Sequence, residues 1–85
     1  MKETVPVSII IPTKNEEKYL PKLLKSIREQ NVQPIEIIVV DAKSVDKTVK
    51  IAQKYKAKVI NGGLPAEGKN NGAKIAQGDI FMFVD

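Results

Sequence analysis

The 85-residue chain is predicted to be an α/β domain of Rossmann-like, three-layer type, with a parallel sheet of four strands in order 3-2-1-4 and three helices. Three observations predict it. Strand and helix signals alternate along the chain, β-α-β-α-β-α-β, which calls for a parallel sheet with right-handed crossovers. Two continuous apolar runs, Ile37-Ile38-Val39-Val40 and Ile80-Phe81-Met82-Phe83-Val84, have the length of strands buried on both faces. Each run ends in an aspartate, Asp41 and Asp85, and ligands of open α/β sheets bind beyond the carboxyl ends of the strands. The strand order puts the switch point between strands one and four, with Pro12 to Glu16 and Asp85 at its mouth and Asp41 beside it.

Val5 to Ile11 is rich in β-branched residues and ends at Pro12, so it reads as strand one. Asn15-Glu16-Glu17 can open a helix, because acidic residues favour its positive end. Pro21 fits only a first turn, so the regular helix is expected from about Tyr19. Leu20, Leu23, Leu24 and Ile27 then form one apolar face. Pro34 ends the connection, and Ile35 to Val40 is strand two. Asp46 is the N-cap candidate of helix two, with Thr48 the weaker choice, and Val49, Ile51, Ala52 and Tyr55 supply the buried stripe. Lys58 to Asn61 is strand three, and Gly62-Gly63-Leu64-Pro65 a turn or loop. Gly68 to Gln77 reads as helix three, with a close-packing face at Gly72, Ala73 and Ala76 and a C-cap glycine at Gly78. Ile80 to Val84 is strand four.

Composition narrows the chemistry. There is no cysteine and no histidine, which removes disulfides, thiolate sites and imidazole catalysis. A metal here would be a hard cation on carboxylates. The longest apolar run is far short of a membrane span, and no leader-like segment opens the sequence, so a cytoplasmic location is expected. The net charge is +4. Lys43, Lys47, Lys50 and Lys54 are spaced to share a helix face, read as solvated, with attraction to anionic lipid or phosphate the sharper alternative. Two Tyr and two Phe are thin for base stacking, so nucleic acid is not an expected partner.

Four segments in register resemble the family-2 glycosyltransferases of the GT-A fold. They are Val7-Ser8-Ile9-Ile10-Ile11-Pro12-Thr13-Lys14-Asn15-Glu16; Ile38-Val39-Val40-Asp41 with Ser44, Asp46 and Thr48; Gly68-Lys69-Asn70-Asn71-Gly72; and Gly78-Asp79-Ile80-Phe81-Met82-Phe83-Val84-Asp85. The resemblance runs from Val5 to Asp85 and implies the nucleotide-binding half of that fold, within residues 1–85 as a single, truncated domain. It implies transfer of a sugar from a UDP- or GDP-sugar to a lipid-phosphate or saccharide acceptor, with inversion and with Mn²⁺ or Mg²⁺.

By the same resemblance Pro12, Thr13, Asn15 and Glu16 border the nucleotide, and Asp41 accepts a hydrogen bond from the base. Lys69 stands where the family often has Arg, and would hold the base or diphosphate as a point charge. Asp85 corresponds to the first carboxylate of the family's Asp-x-Asp metal motif. Asp46 is sufficiently explained as a helix cap. Where the family commonly has a second Asp and a Gly after the Asp41 position, this chain has Ala42 and Lys43; a positive φ there would cost Lys43 a steric penalty. No catalytic base can be assigned. The chain alone is therefore expected to bind metal weakly and to be inactive, with membrane association open for a full-length protein.

Two rival readings stand beside this one. One is a free-standing nucleotide-binding or regulatory module. The other is a self-associating segment that dimerises through the apolar strand Ile80 to Val84. A nucleotidyltransferase is disfavoured, because the loop after strand one lacks the glycine-rich basic pattern.

Overall fold

The structure is a computed structural model; it describes residues 2–62 and 72–84, with the backbone alone at Phe83. The elements are β1 (Glu3–Thr13), α1 (Leu20–Arg28), β2 (Val32–Asp41), α2 (Thr48–Lys54), β3 (Lys58–Asn61) and β4 (Ile80–Phe83). A further helical segment includes residues 72–75. The sheet is all parallel, in the expected order β3-β2-β1-β4.

Side chains alternate across a strand, so the two long central strands feed two cores. Ile9 and Ile11 of β1 join Ile37 and Val39 of β2 on the face covered by Leu20 and Leu24 of α1 and Ala52 of α2. Ile10, Ile38 and Val40 point the other way, where Ala73 of the third helical segment and Ala76, just past its end at residue 75 and short of the expected Gln77, pack on them. Three layers result, as the doubly buried run Ile37 to Val40 requires; the expectation of equal burial fails for the run in β4, where Ile80, Phe81 and Met82 lie exposed on the edge strand of the described sheet. The third layer sits close. A Cβ on Gly72 would lie 2.5 Å from Ile10 Cγ2 and 3.2 Å from Val40 Cγ2, so only glycine fits there without displacement.

Both β1 and β2 run longer than their apolar cores suggest; β1 contains Pro6 and Pro12, and β2 contains Pro34. Pro12 pairs with Val40 inside β1, and Pro34 pairs with Val5 inside β2 instead of ending the connection. Among the described residues β3 reaches β2 only from Ile38 on, so Pro34 sits where its strand has one neighbour. A missing N–H is tolerated at such a one-sided position. A register shift between Val5 and Ser8 marks the bulge that accommodates this part of the sheet.

Tyr19 is the N-cap of α1 and Pro21 lies in its first turn. The acidic tripeptide Asn15-Glu16-Glu17 does not open that helix; α1 has no acidic residue in its first turn. α2 starts at Thr48, with Lys47 as its N-cap, so Lys43 lies outside the helix and the four lysines do not form one helical face. At its end, Ala57 N–H bonds the Ala52 carbonyl and Lys56 N–H that of Gln53. This pairing puts Lys56 in the left-handed position usually given to glycine, at φ 62°. Gly78 is not a left-handed cap, since no described glycine has positive φ. Its reason is space: an added Cβ would meet Ser8 Oγ at 2.7 Å, Ser8 N at 2.8 Å and the Pro6 carbonyl at 3.0 Å.

The start of β4 is fixed by a buried polar cluster. Glu36 Oε2 accepts from Ser8 Oγ at 2.7 Å and from Gln77 N–H, Ser8 Oγ accepts from Gly78 N–H at 2.9 Å, and Asp79 N–H donates to the Pro6 carbonyl. Lys58 Nζ lies 2.8 Å from Glu36 Oε1. Burial raises the Glu36 pKa, but the bonds from Gln77, Lys58 and Ser8 outweigh it and hold the carboxyl below its ordinary range. Among the described residues no helix is long and apolar enough to cross a membrane.

Candidate functional site: the carboxyl ends of β1 and β2

The loops that leave β1 and β2 emerge side by side, because the strands are parallel and Thr13 pairs with Asp41. They are stitched together along their length. Asp41 ends β2 only 4% exposed, and its carboxylate accepts from Thr13 Oγ1 at 2.7 Å, from Ser44 Oγ at 2.6 Å and from Ser44 N–H at 2.8 Å. Lys14 Nζ donates to the carbonyls of Ala42 at 2.8 Å and Lys43 at 3.2 Å. Asn15 exchanges two bonds with the opposite loop: its N–H donates to Ser44 Oγ, and its Oδ1 accepts from Val45 N–H, each at 2.8 Å. Glu16 N–H donates to Thr48 Oγ1 at 2.8 Å and Glu17 N–H to Asp46 Oδ2 at 3.2 Å.

Asn15-Glu16-Glu17 precedes α1 without forming its first turn, and the Glu16 carbonyl leads into the helix by accepting from Tyr19 N–H and Leu20 N–H. All three amides are claimed by side chains of the neighbouring loop, and Asn15 adopts φ 52°, a left-handed conformation that asparagine tolerates. Lys43 also has positive φ, 55°, so it carries the steric penalty expected for a lysine in that conformation. Asp46 does cap Thr48 N–H through Oδ1 at 2.9 Å, one position before the N-cap itself. It also accepts from the Thr48 hydroxyl and from Glu17, reaching beyond its own helix. Desolvation raises its pKa, and these bonds more than offset that, leaving the carboxyl below its usual value.

Of the site residues expected from sequence, Pro12, Thr13, Asn15, Glu16 and Asp41 come together here. Lys69 and Asp85 lie outside the described residues, as do Gly68 and the turn residues Gly63, Leu64 and Pro65. Pro12 and Glu16 also line a groove of about 270 Å³ with Ile11, Tyr19, Leu20 and Leu23. Lys14 and Ser44 carry much of the construction without a role assigned from sequence, and Thr48 enters from sequence only as the weaker N-cap candidate. Their signal was present, since all three fall within the motif segments, but their partners lie about thirty residues away.

The arrangement offers a ligand a rigid rim with little free backbone donor capacity at 15–17. An ammonium has three donors, and Lys14 uses two on carbonyls, leaving one N–H and its charge at an exposed position suited to an anion. Among the described residues no group of three or more Asp or Glu side chains could hold a metal ion, so those residues do not by themselves fit a divalent cation.

The glycosyl transferase family 2 profile matches residues 8–85. The poly(ribitol-phosphate) β-N-acetylglucosaminyltransferase TarS of Staphylococcus aureus is 38% identical over 88 residues, covering 92% of this chain and 15% of that protein. The crystal structure of S. aureus TarS 1–349 superposes with a TM-score of 0.81 at 37% identity, over 100% of this chain and 27% of that one. Glucosyl-3-phosphoglycerate synthase of Mycobacterium tuberculosis, crystallised with Mn²⁺, UDP and glucosyl-3-phosphoglycerate, superposes with a TM-score of 0.77 at 26% identity, over 93% of this chain and 32% of that one. The chain thus spans less than a third of the length of each of these relatives. By sequence and by fold alike, it belongs to glycosyl transferase family 2.

Proposed function

We propose that residues 1–85 form the nucleotide-binding half of an enzyme that transfers a sugar from a UDP- or GDP-sugar to an acceptor hydroxyl. The observation that carries this reading is the stitched loop pair at the carboxyl ends of β1 and β2, the place where open α/β sheets bind ligands. A structural neighbour, glucosyl-3-phosphoglycerate synthase, is crystallised with UDP and Mn²⁺, which supports a nucleotide-sugar donor and a divalent ion in the whole enzyme. In this chain Pro12, Thr13, Asn15 and Glu16 shape the nucleotide's border, and Lys14 meets the negative charge of its phosphates. Asp41 holds the two loops in place and has lone-pair capacity left for a base N–H. Lys69 adds a second cation, and Asp85 contributes a carboxylate towards the metal.

Inverting transfer needs a general base at the acceptor hydroxyl. No described residue is assigned that role, so residues 1–85 alone transfer no sugar. The enzyme works in the cytoplasm, with a saccharide or lipid-phosphate acceptor and, for the latter, a membrane-associated full-length protein. Calorimetric titration of UDP and GDP, with and without Mn²⁺, tests the reading. Weak binding of one nucleotide supports a half-site. Tight binding that ignores metal would favour a complete regulatory module, and sugar transfer by residues 1–85 would refute the assignment of the base elsewhere.

A second reading concerns association. Ile80, Phe81 and Met82 are 58%, 43% and 51% exposed on β4, the edge strand of the described sheet. Such an apolar edge pairs with another copy of itself. Sedimentation at rising concentration should show a dimer; a monomer throughout, with fast exchange of the β4 amides, would remove this reading.

A further inference from the structure

Thr48 is fully buried at the start of α2, yet its hydroxyl reaches across to the other loop. Thr48 Oγ1 accepts the Glu16 N–H and donates to Asp46 Oδ1, while Asp46 Oδ2 accepts the Glu17 N–H. Two adjacent amides of the β1–α1 loop are therefore fixed by a Thr–Asp pair that belongs to a different helix. Without those acceptors the Glu16 and Glu17 amides have no partner in regular structure, since α1 begins only at Leu20.

We infer that Asp46 and Thr48 are positioning residues for the nucleotide: they hold the Asn15-Glu16 turn in its binding shape before ligand arrives. This rests on the nucleotide-binding reading above and adds two residues to it. Thr48 is 0% exposed and cannot touch a ligand, so any effect it has on affinity passes through the Glu16 amide. A loop that spends less time in the competent shape binds more weakly in proportion to that lost fraction.

The test is UDP titration into the isotope-labelled chain, followed by NMR, for the wild type, Thr48→Val and Thr48→Ser. Valine keeps the shape and removes the acceptor; serine keeps the acceptor. Thr48→Val should bind UDP roughly three- to tenfold more weakly, the equivalent of one net hydrogen bond. Its Glu16 amide should exchange faster, and Thr48→Ser should restore affinity to within about twofold of wild type on the same reasoning. If Thr48→Val does not fold, Asp46→Asn carries the same expectation, because its amide nitrogen cannot accept from Glu17 N–H. Wild-type affinity in Thr48→Val or Asp46→Asn, or a serine variant as weak as valine, would overturn the inference alone. A wild-type chain that binds neither UDP nor GDP would overturn the nucleotide reading and this inference with it; if it binds GDP alone, the same variants are compared with GDP.

Discussion

Replacing Glu36 by Gln removes the carboxylate charge from the cluster that fixes the start of β4. The amide oxygen can keep the bonds from Ser8 Oγ and Gln77 N–H, now as neutral bonds. Hydrogen bonds to a charged group contribute about 1.5–3 kcal/mol each and neutral ones about 0.5–1.5, so two bonds lose about 2 kcal/mol together. The Lys58 contact adds no more than about 1 kcal/mol, because that side chain is 48% exposed and can return to water. A loss of about 2–3 kcal/mol lowers the melting temperature of a domain this size by roughly 10–20 °C. Circular dichroism melts of wild type and Glu36→Gln at neutral pH measure it. The sign with pH also follows. The folded carboxyl titrates below its ordinary 4.5, so its contribution is complete above that pH and is lost as pH falls through the folded value. The gap between wild type and Glu36→Gln should therefore close in acid. A neutral-pH difference of under about 2 °C, against the expected scale, or a gap that persists unchanged in strong acid, would refute the role given to this carboxylate.

Gly78→Ala drives a methyl against the Ser8 and Pro6 backbone at 2.8 and 3.0 Å, and should lower stability by about 1–3 kcal/mol in urea denaturation. Lys43→Gly and Lys56→Gly each relieve a left-handed lysine and should raise the unfolding free energy read from urea denaturation by about 0.5–1 kcal/mol apiece. A destabilised Lys56→Gly would mean that the Lys56 conformation carries no strain.

Much of the architecture is legible in the sequence because it follows from short-range pattern. The run Ile37 to Val40 has no polar face, so β2 must be covered on both sides, and the bounds of β3 follow from Lys58 to Asn61 alone. The misjudged boundaries share a cause: they depend on what lies beside the segment. Pro34 is admissible in β2 because β3 stops short of it. Asn15-Glu16-Glu17 is a capable helix opener locally, but Asn15, bonded to Ser44 and Val45, sits at φ 52°, outside helical geometry. The candidate site divides in the same way. Asp41 stands out as a carboxylate at the end of a buried strand, whereas its burial and its ties to Thr13 and Ser44 require the folded loops. Glu36 looks like one polar interruption near an apolar run, and its partners lie 28 and 41 residues away in sequence.

The most direct measurement is the map of amide shifts when UDP is added to the labelled chain. Nucleotide binding at the mouth of β1 and β2 predicts shifts concentrated in residues 13–17 and 41–48, with residues 31–36 at the opposite end of the sheet unmoved. Shifts centred on that opposite end, or none at saturating UDP and none at saturating GDP, would contradict it.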